Sequence, residues 1–265
     1  MSALKARTTL SVETLGDRIV PAFVPTLTGT ELVLTGDASN DDAQIRDFGN
    51  GTVAVTANNG ASNWVFTNVN TINVHAEDGH DHVRYDLVGP LQPGRSQFVG
   101  VYLGSNYSPN PGNDSFVATL HPGISIENRA RLQITADGGG GDDYLSLTAI
   151  DVNVRAGGWV KTNFHGGFGN DTIGQVYRGQ MDGSLALRSW GNDGRDTIRE
   201  VMDFAPASAG RTGALVYGGN DADVLSLYVT LAPAMTVDKL EIHGDDDGDP
   251  LNDSLNFNAP VTAFF

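Results

Sequence analysis

The chain of 265 residues carries 16 Lys+Arg against 32 Asp+Glu, a formal charge of −16. A chain so acidic repels phosphate backbones and anionic membranes, which argues against nucleic-acid binding. It contains no cysteine, so disulfides, thiolate zinc sites and Cys nucleophiles are excluded together. No apolar run reaches the roughly 18 residues that a membrane-spanning helix needs.

The acids are 26 Asp and only 6 Glu, and they accompany 33 Gly and 20 Asn. That mixture is rich in turn formers and poor in helix formers, so a helical bundle is excluded as the main architecture. At 40% hydrophobic the chain nonetheless has enough apolar material for a core.

Residues 1–28 stand apart from the rest. The stretch Leu10-Ser11-Val12-Glu13-Thr14-Leu15-Gly16-Asp17-Arg18-Ile19-Val20-Pro21-Ala22 has no repeat pattern. It resembles the LExLEDRxxPA leader of large bacterial exported or surface proteins, with Gly16 in place of an acid. The competing reading is an N-terminal helix that caps the first rung.

From residue 29 to 265 one short pattern recurs: an alternating strand, a Gly/Asp/Asn turn, then Asp, any residue and an aliphatic. The recurring Asp stand at positions 41, 81, 114, 143, 171, 196, 223 and 253, and subtracting neighbours gives steps of 40, 33, 29, 28, 25, 27 and 30. Strands of period two lead into the turns at Leu32–Leu34, Ile72–Val74, Leu132–Ile134, Leu185–Leu187 and Leu240–Ile242. Others leave them at Leu145–Leu147, Val224–Leu227 and Leu255–Phe257. The segment Val88–Pro111 reads as a long insertion.

A repeat of roughly 28 residues, rising about 3.3 Å per residue in its strands, holds three short strands and three turns, which is one coil of a parallel β-solenoid. The expectation is therefore an all-β, right-handed parallel β-solenoid of about eight rungs. An antiparallel sandwich of hairpins is the alternative, but it does not explain why one turn type returns only once per coil.

The best turns are Gly138–Leu145, Gly166–Ile173, Gly191–Ile198 and Gly218–Leu225. Consecutive glycines allow positive φ, and their carbonyls and the closing carboxylate are hard oxygen donors of the kind calcium takes. Stacked carboxylates about 5 Å apart repel by roughly 3 kcal/mol at an effective dielectric near 20, which favours a cation between them. The alternative is an ion-free ladder of Asp/Asn/Gly turns held by hydrogen bonds. His75, His165, Trp190, Tyr217 and His243 lie just ahead of the turns, where a stacked column is expected, while His80 and His82 read as solvated loop residues.

These turns resemble the GGxGxDx-aliphatic nonapeptide of the RTX, or haemolysin-type, calcium-binding repeats. Residues 138–145 and 166–173 match every specified position, whereas Asn192 replaces the second Gly of the third copy and Asp221 the third Gly of the fourth. RTX repeats run in tandem, two per coil, but here each stands alone. The resemblance implies Ca2+ held by Gly139, Gly141, Asp143, Gly167, Gly169, Asp171, Gly194, Asp196, Gly219, Asp221, Asp223 and Asp253. It implies a non-enzymatic structural or adhesive module at the cell surface or outside the cell, with calcium, surface polysaccharide or other surface proteins as partners.

The alternative is a β-helix polysaccharide lyase or hydrolase. Only Lys5, Lys161 and Lys239 are lysines, the arginines are scattered singly on strands, and an Asp that recurs in every turn is structural by its periodicity. No nucleophile elbow, phosphate loop or HExxH motif occurs.

Overall fold

The computed structural model describes residues 23–104, 112–245, 254–258 and 262–264. It is an all-β solenoid of stacked parallel coils, with two ten-stranded sheets facing each other across one apolar core. Among the described residues there is no helix, and hence none long and apolar enough to cross a membrane.

One sheet, here sheet I, takes Glu31–Thr35, Thr71–His75, Ser96–Tyr102, Arg131–Gly140, Trp159–Phe168, Ser184–Asp193, Arg211–Asn220, Thr236–Asp245 and Thr262–Phe264 in parallel order. Sheet II takes Asp42–Asp47, His82–Leu87, Ser115–Leu120, Tyr144–Ile150, Thr172–Gly179, Thr197–Phe204, Val224–Thr230 and Ser254–Phe257. The chain passes from a sheet I strand through a Gly/Asp turn into a sheet II strand, then returns one layer further along. On the return side only a short third ladder forms: Leu91 bridges Ile126, Ser125–Ile126 pairs with Asn153–Val154, and Val154 bridges Met181.

Alternation decides which side chains enter. Leu145, Leu147, Ile173, Ile198, Leu225 and Leu227 are all buried, as the period-two pattern requires. Two residues after each turn Asp from Asp41 to Asp223 an apolar side chain (Ala43, Val83, Phe116, Leu145, Ile173, Ile198 and Leu225) enters the core and anchors the turn.

Among the described residues about six parallel coils stack from Thr71 to Thr230. The eight recurring Asp span further, because the first coil is interrupted and the last includes residues outside the described set. The interruption explains why the first step between recurring Asp is the longest: Val53–Ala57 and Ser62–Phe66 fold back antiparallel on Asp42–Asp47. At the same end Val24–Thr28 pairs antiparallel with Glu31–Thr35, ahead of the expected boundary at residue 28. These antiparallel strands cover the end of the parallel stack, where open edges would invite pairing with another chain.

One expectation is corrected. The described part of Val88–Pro111, residues 88–104, belongs to the coil rather than to an insertion, because it contains the sheet I strand Ser96–Tyr102, with Val99 and Val101 in the core, while residues 105–111 lie outside the described set. That strand carries Gly100 at its centre and ends near residues outside the described set, so its apolar alternation is short.

Candidate functional site

The Gly/Asp turns stack along one edge of the solenoid, between the two sheets. Asp41, Asp81, Asp114, Asp143, Asp171, Asp196 and Asp223 form a single column, and every one is at most 3% exposed. Within this column the carboxylate of each coil reaches back one coil. Oδ1 of Asp143 accepts the backbone N–H of Asp114 at 2.8 Å, and Oδ1 of Asp171 accepts that of Asp143 at 2.7 Å. The same bond links Asp41 to Asp81, Asp81 to Asp114, Asp171 to Asp196 and Asp196 to Asp223, at 2.7–2.8 Å.

A second, outer column occupies the residue immediately before each Asp from Asp41 to Asp171, and it reaches forward as far as Arg195. Asn40 Oδ1 accepts His80 N–H, His80 Nδ1 accepts Asn113 N–H, and Asn113 Oδ1 accepts Asp142 N–H. Asp142 Oδ1 then takes Asn170 N–H at 2.8 Å, and Asn170 Oδ1 takes Arg195 N–H at 3.1 Å. Each turn is thus tied to both neighbours by side chains as well as by the strands. His80, expected as a solvated loop residue, is a member of this column, with Nδ1 as an acceptor. The signal was present in the sequence as a hydrogen-bond acceptor preceding most of the turn Asp.

The glycines of the turn have two distinct causes. The second and third motif positions are left-handed: Gly139 (φ 92°), Gly167 (115°) and Gly219 (114°), then Gly141 (116°), Gly169 (120°) and Gly194 (121°). The two departures from the motif fall on this same geometry, with Asn192 at φ 80° and Asp221 at φ 74°. Asn and Asp are the residues that best tolerate that region after glycine. The first motif glycine has another reason. A Cβ on Gly138, Gly166, Gly191 or Gly218 would lie 2.0–2.3 Å from Oδ2 of the turn Asp in its own coil. The glycine makes room for the carboxylate.

Oδ2 is therefore the chemically unusual atom. In Asp81, Asp114, Asp143, Asp171 and Asp196 it is buried without a hydrogen-bond partner. Burial is the main cause that raises these carboxyls above the ordinary 3.8: Asp81 and Asp196 to about 8, Asp114 and Asp171 to about 7, Asp143 to about 6. The bond from the preceding coil's N–H opposes this, and neighbouring carboxylates add to it.

The ligand set expected for calcium can be placed on this geometry. Asp143, Asp171, Asp196 and Asp223 share the inner column, but each spends Oδ1 on an amide. Gly139 O and Gly141 O pack on Gly167 and Gly169 of the next coil, each 2.1 Å from where a Cβ would stand. Gly169 O does the same to Gly194 at 1.9 Å. Asp221 is exposed, and Asp253 lies outside the described residues. Two oxygens do converge near Gly138, where Asp143 Oδ2 and Gly166 O are 2.3 and 2.4 Å from the same point; Asp196 Oδ2 and Gly218 O meet similarly near Gly191. Calcium takes six to eight. Among the described residues no group of three or more His, Asp or Glu is arranged to hold a metal ion.

The aromatic column on the outer face of sheet I forms as expected and is longer. Strand register aligns His75, Tyr102, Asp137, His165, Trp190, Tyr217 and His243. His165 stacks on Trp190 with ring centroids 4.4 Å apart and planes 1° from parallel, and His75 stacks on Tyr102 at 5.1 Å. Asp137 interrupts the rings beside His165. The rings pack in pairs, His75 on Tyr102, His165 on Trp190 and Tyr217 against His243.

No family model matches the chain, and no curated protein and no solved structure matches it either. The RTX resemblance therefore rests on the turn motifs themselves.

Proposed function

We propose that the chain is a non-enzymatic structural module, a rigid solenoid spacer whose acidic edge is held together by paired hydrogen-bond columns. The observation that carries this reading is the inner Asp column: one buried carboxyl per coil, each bonded to its neighbour's amide. A catalytic carboxylate breaks a repeat once, whereas these recur in every coil and are turned inward. The resemblance of residues 10–22 to an export leader supports a setting at the cell surface or outside the cell.

The second reading is calcium binding along the same edge, with surface polysaccharide or another surface protein as the eventual partner. The unpartnered Oδ2 atoms and the GGxGxD turns favour it, because a cation and a proton are two ways to neutralise the same oxygen. Thermal melts at pH 5 and pH 8 in chelator, millimolar calcium and millimolar magnesium separate the two. An ion-free column gives a midpoint that falls from pH 5 to pH 8 and ignores both cations. A calcium edge gives a midpoint at pH 8 that rises with calcium and not with magnesium, reflecting a stabilisation of roughly 2.7 kcal/mol at a hundredfold excess over Kd.

A further inference from the structure

Two adjoining clefts that share Trp159 and Ser184 form a groove across the outer face of sheet I, with Lys161 in the same row as Ala186 and Gly213 beside it. One part, of about 340 Å3, lies between Arg131, Trp159 and Ser184. The next, of about 430 Å3, shares Trp159 and Ser184 and runs on past Arg188 and Gly213 to Lys239. Register explains the trough. Lys161, Ala186, Gly213 and Lys239 form one row across four neighbouring strands, so two small residues lie between two long cationic ones. From the Arg131 strand to the Lys239 strand is four strand spacings, or roughly 19 Å.

The charge of this face runs against that of the molecule. In a chain of net −16, Arg131, Lys161 and Arg188 gather here, and none has an acidic partner within ion-pair distance among the described residues. The acids present are already engaged, Asp238 with Arg211 and Glu241 with Lys239. Lys161 is half-buried beside Arg188, and burial, with Arg188's charge added, lowers the proton affinity of its amine. Cations held together without a counter-charge are a standing cost unless an anion joins them. The turn carboxylates lie at the far end of these strands, beyond the Debye length of about 8 Å at physiological salt.

We infer that this groove binds an extended anionic glycan, with Arg131, Lys161 and Arg188 taking carboxylate or sulfate groups and Trp159 packing on a sugar ring. The guanidinium fork suits planar or tetrahedral oxyanions. An acidic peptide fits less well: the strands beneath are paired on both sides, so no edge is free for strand addition, and of the apolar residues along the floor Leu185, Leu187 and Ala214 are buried in the core, which leaves Trp159, Ala186 and Leu215 and no long apolar row for a docking helix.

Affinity electrophoresis of the intact chain in chelator tests this, with hyaluronan as the carboxylate probe, heparin as the sulfate probe, dextran as the neutral probe and poly-glutamate as the peptide probe. Retardation by hyaluronan or heparin but not by dextran is expected, and which of the two acts identifies the anionic group. Arg188→Gln and Trp159→Ala should each weaken it at least tenfold with an unchanged melting midpoint. Arg188 is exposed, so its variant keeps the test open if Trp159→Ala misfolds. Retardation by neither glycan, equal retardation of wild type and Arg188→Gln, or poly-glutamate binding as tight as the glycan would overturn the assignment.

Discussion

Asp171→Asn removes one charge from the middle of the inner column while keeping its shape. Asn Oδ1 can still accept the N–H of Asp143, and its Nδ2 occupies the place of the unpartnered Oδ2. The wild-type carboxyl is raised from 3.8 to about 7, chiefly by burial. A raised carboxyl contributes stability that is fully present below the unfolded value and is lost as pH rises through the folded one. At about 1.4 kcal/mol per pH unit, Asp171 thus costs wild type roughly 4 kcal/mol between pH 3.8 and pH 7. The variant escapes that loss but buries a donor facing Gly166, at about 1 kcal/mol. It should therefore be about 0.5 kcal/mol less stable than wild type near pH 4, equal near pH 4.5, and about 3 kcal/mol more stable at pH 8. Urea unfolding at pH 4, 6 and 8 in chelator, followed by tryptophan fluorescence, measures the difference. A difference that stays constant with pH, or a wild type that gains on the variant as pH rises, would refute the argument. Either would mean that the native column prefers its carboxylates charged.

The same geometry fixes three further outcomes. Gly166→Ala sets a Cβ 2.2 Å from Asp171 Oδ2 and should push that carboxyl off its amide, costing about 1–3 kcal/mol, whereas nothing lies within 4 Å of a Cβ at Gly29, where only the left-handed backbone (φ 63°) is strained; paired melts of the two variants compare them. Glu200 is wholly buried in the core, accepts Ser189 Oγ at 2.8 Å and is raised to about 8 by burial, so its stability contribution is lost as pH rises through 8. Glu200→Gln should match wild type within about 1 kcal/mol at pH 5 and exceed it by a few kcal/mol at pH 9 in urea unfolding. Asp86→Asn, away from the turns, should behave oppositely to Asp171→Asn: burial raises that carboxyl, but bonds from Arg84, Gln44 and His121 outweigh it and hold it low, so its contribution appears above the unfolded value and the variant should lose stability at pH 8 relative to pH 3.

The solenoid was legible because two periodicities agree. Alternation at period two places Leu145, Leu147, Ile173 and Ile198 inside, and a turn returning once per coil stacks them in register. The hairpin Val53–Phe66 was not legible, because its strands alternate like any others and differ only in pairing antiparallel with the strand before. The strand Ser96–Tyr102 was lost for the opposite reason. Its pattern is interrupted by Gly100, whose outer-face position takes part in no motif.

The candidate edge was half legible, and the missing half is instructive. Spacing marks the residues that form the turn, but it says nothing about which way a carboxylate points. A GGxGxD turn with its Asp directed outward offers oxygens to an ion; with its Asp directed inward it offers them to the next coil's amide. The first glycine is compatible with both, since it is needed as backbone in one case and as the space for Oδ2 in the other. What does separate them in the sequence is the residue before the Asp. Asn40, Asn113, Asp142 and Asn170 are short acceptors that a forward-reaching column requires, and His80 fills the same place with a ring nitrogen. These acceptors join each turn from Asp41 to Asp171 to the next, and the run stops at Arg195 and Ala222, where the sequence offers no short acceptor.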